Sequence, residues 1–194
     1  MDHYLDIRLL PDADFNATVL LAALYAKLHR VLSKQQRRDI GVSFPGYSTG
    51  KQQDKDPAPP SLGATLRLHG SAAALDSLMA SHWASGFADY ALIGNIRPVP
   101  ATTQVIRVQR RQAKSNPARE RARLMRRKNM DSAEAYRLIP DSKARRLSLP
   151  YITLDSSSTG QRFLLFIDQH AVTQAVSGEF NSYGLSSSAT LPSW

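Results

Sequence analysis

The order in which apolar periodicities follow one another through the first hundred residues constrains this chain most. Tyr4 to Leu10 alternate, with Leu5, Ile7 and Leu9 apolar around Asp6 and Arg8, the pattern of a half-buried strand. Asn16 predicts a helix cap, and Ala17, Leu20, Leu21, Leu24, Leu28, Val31 and Leu32 continue at helical spacing to about Gln35. Ile40 to Phe44 reads as a short strand closed by Pro45, and Ala64 to His69 alternates as another. Ser71 predicts a second cap, with a helix to about Trp83, and Ala91 to Arg97 a closing strand. The order β-α-β-β-α-β is that of the ferredoxin-like unit, two helices on one face of an antiparallel sheet. Pro98 and Pro100 punctuate its end, so an α+β chain with a first domain at 1–99 and a second at 100–194 is expected.

The two parts differ in charge. Residues 1–99 carry 10 Lys/Arg against 9 Asp/Glu, whereas residues 100–194 carry 15 against 7, so +8 of the net +9 lies in the second part. Between Arg107 and Lys128 there are 10 basic residues and one acid, Glu120. Charge that dense matches a phosphate backbone, whose condensed counterions are released on binding. A solvated basic helix or a contact with an anionic membrane surface would use the same composition.

That region begins with an extended basic segment, Val105 to Gln112. Asn116 and Pro117 then suit a helix cap and first turn, with the helix running to about Asn129. At 100° per residue Arg119, Arg123, Arg126 and Arg127 fall within about a 100° arc, one arginine face. Asp131 and Glu134 form a capping-box-like start for a short helix ended by Pro140. Four β-rich runs follow, at Tyr151–Leu154, Arg162–Ile167, Val172–Val176 and Phe180–Leu185, separated by Ser/Gly turns. The segment 46–61, rich in Pro, Gly, Lys and Asp, reads as a loop.

The chain has no cysteine, which excludes disulfides and thiolate chemistry. Its N-terminus lacks a basic region followed by an apolar core, and the apolar stretch Ala17 to Ala26 is too short for a bilayer, so a cytoplasmic protein without membrane contact is expected. His3, His29, His69, His82 and His170 show no metal-ligand spacing, so neither metal nor other cofactor is expected. Any cleavage of nucleic acid would then rest on acid–base chemistry, for which histidine is suited and RNA supplies its own 2′-OH nucleophile. Taken singly, His29 is a boundary residue about 60° outside the apolar stripe, the 156–160 serines are a turn, and Tyr183 is a packed aromatic.

In combination these segments resemble a known family. MDHYLDIRLLPD at 1–12, KLHR at 27–30, GVSFP at 41–45, RRQAKSNPARERARLMRR at 110–127, STGQRFLLFI at 158–167 and SYGLS at 182–186 occur in that order. The chain resembles the CRISPR repeat-processing endoribonucleases of subtype I-F, the Csy-type members of the Cas six superfamily, from Met1 to about Ser186. The resemblance implies cleavage of CRISPR precursor transcripts at the 3′ base of the repeat hairpin by 2′-OH attack, leaving a 2′,3′-cyclic phosphate. The protein would then stay on the 3′ hairpin of the guide RNA. It implies His29 as general base, Ser156 as holder of the nucleophilic hydroxyl with Ser158 as its companion, and Tyr183 as the residue orienting the histidine. Phe163 would stack under the terminal base pair of the hairpin. Arg110 and Gln112 would read base edges near the bottom of the stem, and Arg119, Arg123, Arg126 and Arg127 would enter the major groove. Arginine forks fit both phosphates and the guanine O6/N7 edge, and a narrow A-form groove admits a helix most easily near a duplex end. Implied partners are the repeat hairpin and other subunits of the subtype I-F surveillance complex, the free protein being monomeric. The alternative on the same scaffold is a hairpin-binding subunit of that complex without catalysis. A generic basic ribosomal-type or DNA-binding protein would leave the Ser, Tyr and Phe motifs unexplained.

Overall fold

The computed structural model describes residues 1–50, 58–101, 104–112, 117–141, 147–156 and 159–194. Strand β1 (His3–Leu9) leads into helix α1 (Ala17–Lys34), then β2 (Gly41–Ser43), β3 (Thr65–Gly70), helix α2 (Ala72–Ala80), β4 (Ala91–Ile93) and β5 (Arg97–Pro98). These strands pair antiparallel in the order β2-β3-β1-β4, with β5 also on β1. The alternation in β1 does what it predicts: Leu5, Ile7 and Leu9 are buried, while the residues between them are not. Asn16 and Ser71 cap α1 and α2, their side chains accepting from the Val19 and Ala74 amides. The ferredoxin-like α+β arrangement is therefore present.

Strand β6 (Gln104–Arg111) is followed by helices α3 (Pro117–Lys128) and α4 (Ser132–Leu138), then β7 (Tyr151–Asp155), β8 (Arg162–Val172) and β9 (Leu191–Ser193). These strands form a second antiparallel sheet in the order β7-β8-β6-β9. Compactness divides the chain into residues 1–111 with 149–194, and residues 112–148, so the second sheet belongs with the first rather than apart from it beyond residue 99. One apolar cluster runs through the larger unit, joining Leu24, Leu28, Leu66 and Leu75 to Val108, Ile152, Leu165 and Ile167. Gln169 on β8 ties the sheets together: its side-chain oxygen accepts from the Phe44 amide and its nitrogen donates to the Phe44 carbonyl, both at 2.9 Å.

Several local expectations change. Helix α2 stops at Ala80, three residues early, because His82 takes φ 50° and its amide bonds back to Met79. The strand expected at Val172–Val176 is the end of β8 followed by a bend, with Val176 bonded to Thr190 instead of extending a ladder. Phe180–Leu185 is a closed turn. Asn116 lies outside the described residues, as do residues 51–57 of the expected loop; at the loop's margins Ser48 and Ser61 exchange backbone hydrogen bonds. Among the described residues no helix is long and apolar enough to cross a membrane.

Candidate active site

Helix α1 carries His29 half-buried on its flank, and the turn 181–185 meets it. His29 Nδ1 lies 2.9 Å from the Ser182 carbonyl oxygen. A carbonyl only accepts, so Nδ1 carries the hydrogen, and in the neutral ring the lone pair is on Nε2. The imidazole also stacks on the Tyr183 ring, 3.8 Å between centres and 6° from parallel. One peptide segment thus fixes both the tautomer and the plane of the histidine.

The turn is held by residues that sequence patterning passes over. Asn181 Oδ1 accepts from the Tyr183 and Leu185 amides at 2.9 and 3.2 Å, and the Asn181 amide donates to the Leu185 carbonyl at 2.9 Å. Gly184 sits at φ 69°, where a Cβ would come within 2.4 Å of Val42 Cγ2, so both conformation and space demand glycine there. Its carbonyl accepts from the Val42 amide at 2.9 Å, docking the turn beside β2. From below, the Tyr25 hydroxyl donates to the Tyr183 carbonyl at 2.6 Å. Burial pushes the Tyr25 pKa well above the usual tyrosine range, so this donor stays protonated. The only sequence sign of this support is the Asn-x-x-Gly spacing, a turn signal rather than a strand one.

Ser156 follows β7 and opens the turn into β8. Its amide donates to the Gln161 carbonyl, its carbonyl accepts from the Gly160 amide, and its Oγ accepts from the Thr159 amide at 3.3 Å. Ser158 lies outside the described residues. Phe163 is partly buried against the core, and the Arg110 guanidinium stands 5.7 Å from its ring centre. His29, Ser156, Phe163 and Tyr183 line one cleft of about 490 Å³, with Arg30, Ser33, Lys34 and Asp155. No motif in the sequence marks Arg30 or Lys34 as a site residue. Their i, i+4 spacing places both beside His29 on one flank of α1, where they add positive charge. Asp155 is ion-paired with Arg162 at 3.1 Å.

The other histidines lie outside the cleft. His69 is fully buried with Nε2 2.8 Å from Ser43 Oγ; burial first, and the Arg67 charge second, lower its pKa to about 3, so it stays neutral. His170 pairs with Asp168 across 3.3 Å, and His3 neighbours Asp2. Among the described residues no group of three His, Cys, Asp or Glu side chains gathers as metal ligands would.

Gln112 begins the smaller unit and is exposed, as are Arg119, Arg123, Arg126 and Arg127 on α3. Arg121 falls on the opposite side of that helix, by 3.6-residue geometry, and does something else. Its guanidinium donates to the Ile139 carbonyl and to Asp141, each at 2.7 Å, and lies 4.8 Å from the Tyr136 ring centre. Tyr136 in turn donates to Asp141 at 3.2 Å. Arg121 staples α3 to α4, leaving the arginine face outward.

Fold and cleft together define a ferredoxin-like α+β protein with an oriented histidine, a hydroxyl-bearing turn and a basic helix. The profile of the CRISPR-associated protein (Cas_Csy4) family matches residues 4–194, and the chain belongs to that family. It is 46% identical over 194 residues to the CRISPR-associated endonuclease Cas6/Csy4 of Pseudomonas aeruginosa (strain UCBPP-PA14), covering 99% of each chain. Identity is 44%, with the same coverage, to the protein of that name from Escherichia coli (strain UTI89 / UPEC).

Proposed function

We propose that this chain is an endoribonuclease that cuts CRISPR precursor transcripts at the 3′ base of the repeat hairpin, without metal, and remains on the product hairpin. The observation that carries this reading is the oriented His29: Nδ1 committed to the Ser182 carbonyl, the ring against Tyr183, and Nε2 left as the basic nitrogen in a cleft that also holds Ser156. In the reaction, Nε2 takes the proton of the 2′-OH upstream of the scissile phosphate while Ser156 holds that hydroxyl, with Ser158 beside it. The 2′ oxygen bonds to phosphorus, the P–O5′ bond breaks, and O5′ takes up a proton from water. The products are a 2′,3′-cyclic phosphate and a 5′-hydroxyl. A positioned base and good alignment each supply on the order of 10²–10⁴-fold or more.

Phe163 stacks under the last base pair and so measures where the duplex ends. Arg110 and Gln112 read base edges at the bottom of the stem, and the outward arginines of α3 grip the groove, making the 100–194 segment the main RNA-binding part. The names of the relatives support the CRISPR endonuclease reading. The test is incubation with the repeat hairpin in EDTA, alongside a copy with a single 2′-deoxy at the cleavage position. Cutting of the first and not the second is expected, with His29→Ala inactive but still bound to the hairpin. Cutting of the 2′-deoxy copy, or a strict need for metal, overturns the mechanism.

A further inference from the structure

A second recess opens on the other side of the 181–185 turn and, apart from Arg110, has no role in the reaction just described. It measures about 380 Å³, and its walls carry Arg38, Gln109, Arg110, Glu179, Ser187 and Ser188. Two of these are cations, and Ser187 and Ser188 are exposed hydroxyl donors, a combination suited to phosphodiester oxygens. Arg110 joins the recess to the cleft, because it lines the one and its guanidinium faces the Phe163 ring of the other. The turn forms the ridge between them: Asn181 lines the recess and Tyr183 the cleft. Arg38 is paired with Glu179 at 3.0 Å, both side chains about 70% exposed. A pair that open to water is weak and gives way readily to a phosphate. The backbone there is independently anchored, the Phe180 amide donating to the Arg38 carbonyl at 3.0 Å, so side-chain changes leave the wall standing.

The geometry points to this recess as a phosphate-binding subsite for a single-stranded RNA flank of the hairpin, with Arg38 as its cation and Glu179 as a built-in competitor. The inference rests on the hairpin-binding reading above. A strand leaving a duplex that ends on Phe163 must cross the rim of the cleft, and Arg110 places the recess on that rim. Glu179 holds Arg38 only weakly, so a phosphate that reaches the recess replaces the carboxylate.

Opposite-sign variants test this. Dissociation constants are measured at several salt concentrations for three uncleavable hairpins with 2′-deoxy at the cut: blunt, with a 5′ oligouridine flank, and with a 3′ oligouridine flank. Arg38→Ala should weaken at least one flanked hairpin by roughly 3- to 10-fold at low salt and lower its salt slope by about 0.7, leaving the blunt hairpin unchanged. Glu179→Gln should tighten the same flanked hairpin about twofold or more. The flank that responds identifies the strand occupying the recess. An equal loss on the blunt hairpin, or no effect of either variant on any flank, overturns the subsite while wild-type hairpin binding and cleavage stand. Failure of the wild-type protein to bind any of the hairpins overturns this inference and the reading beneath it together.

Discussion

Two histidines, one half-buried and one sealed, show how differently this fold uses the same side chain. The orientation of His29 depends on the 181–185 turn keeping Ser182 and Tyr183 in place, and Asn181 is the residue that closes that turn. Asn181→Ala removes an acceptor from two amides, a loss of about 1–2 kcal/mol in local order. It should lower the single-turnover cleavage rate by roughly tenfold while changing the hairpin dissociation constant little. Asn181→Asp, which keeps the acceptor, should restore most of the rate; equal loss of binding would make the residue merely structural. His69 is the opposite case. Its folded pKa of about 3 lies below its unfolded value, so the unfolded chain binds the extra proton. Stability from this residue is complete above pH 6.5 and is lost as pH falls toward 3, approaching about 1.4 kcal/mol per pH unit. Urea midpoints taken from pH 7 to 4.5 should fall, and His69→Gln should flatten the decline over that window. By periodicity alone the sequence presents His29 as a boundary residue of a helix and His69 as the end of a strand, and only the family resemblance singles out His29. In physical terms their partners separate them, a carbonyl 153 residues away for His29 and a sealed serine for His69.

At the level of elements, helix starts were readable where a side chain caps them. Asn16, Ser71 and Asp131 each accept from an amide three residues on, as their sequence contexts predict. The ends of α1 at Lys34 and α3 at Lys128 fall within one residue of those expected, whereas α2 stops three residues early. Just beyond these ends Gln36, His82 and Asn129 all stand at φ near 50°, and no glycine marks any of them. The same blindness to context hides the division of labour within α3. By composition Arg121 is one more arginine, yet its fork is spent on Ile139 and Asp141 within the smaller unit. Arg121→Gln and Arg123→Ala should therefore both weaken hairpin binding, through different physics. Loss of Arg123, exposed on the outward face, should lower the slope of log affinity against log salt by roughly 0.7–0.9, one phosphate's worth. Loss of Arg121 should leave the slope unchanged and reduce the helicity of the free protein, seen by circular dichroism. A reduced slope for Arg121→Gln would place its charge on RNA and remove its role as staple.

Across the whole molecule, stability is unevenly distributed, and sequence halves are a poor guide to it. A cut near residue 99 follows the charge, whereas the packed core follows the sheets, because β6 to β9 bury Val108, Ile152, Leu165 and Ile167 in the same cluster as the first sheet. A period-two run of apolar residues reveals a strand but not which core it joins, so that association had no sequence signal. The smaller unit lies outside this cluster. In α3 and α4 only Pro117 and Ala135 are buried, although α3 carries five arginines within twelve residues. A helix of twelve residues without an apolar face against a core is marginal in water. Like charges crowded on one side lower its stability further. Local opening of the α3–α4 pair should accordingly cost far less than global unfolding, and its amides should exchange with deuterium much faster than those of α1 and β3. Under the proposed function, hairpin RNA neutralises the arginine face and favours the closed form, so saturating RNA should slow exchange in α3 by the ratio that mass action dictates. Exchange in α3 as slow as in α1 without RNA would mean that the arginine face is preformed, its grip on the hairpin costing no ordering.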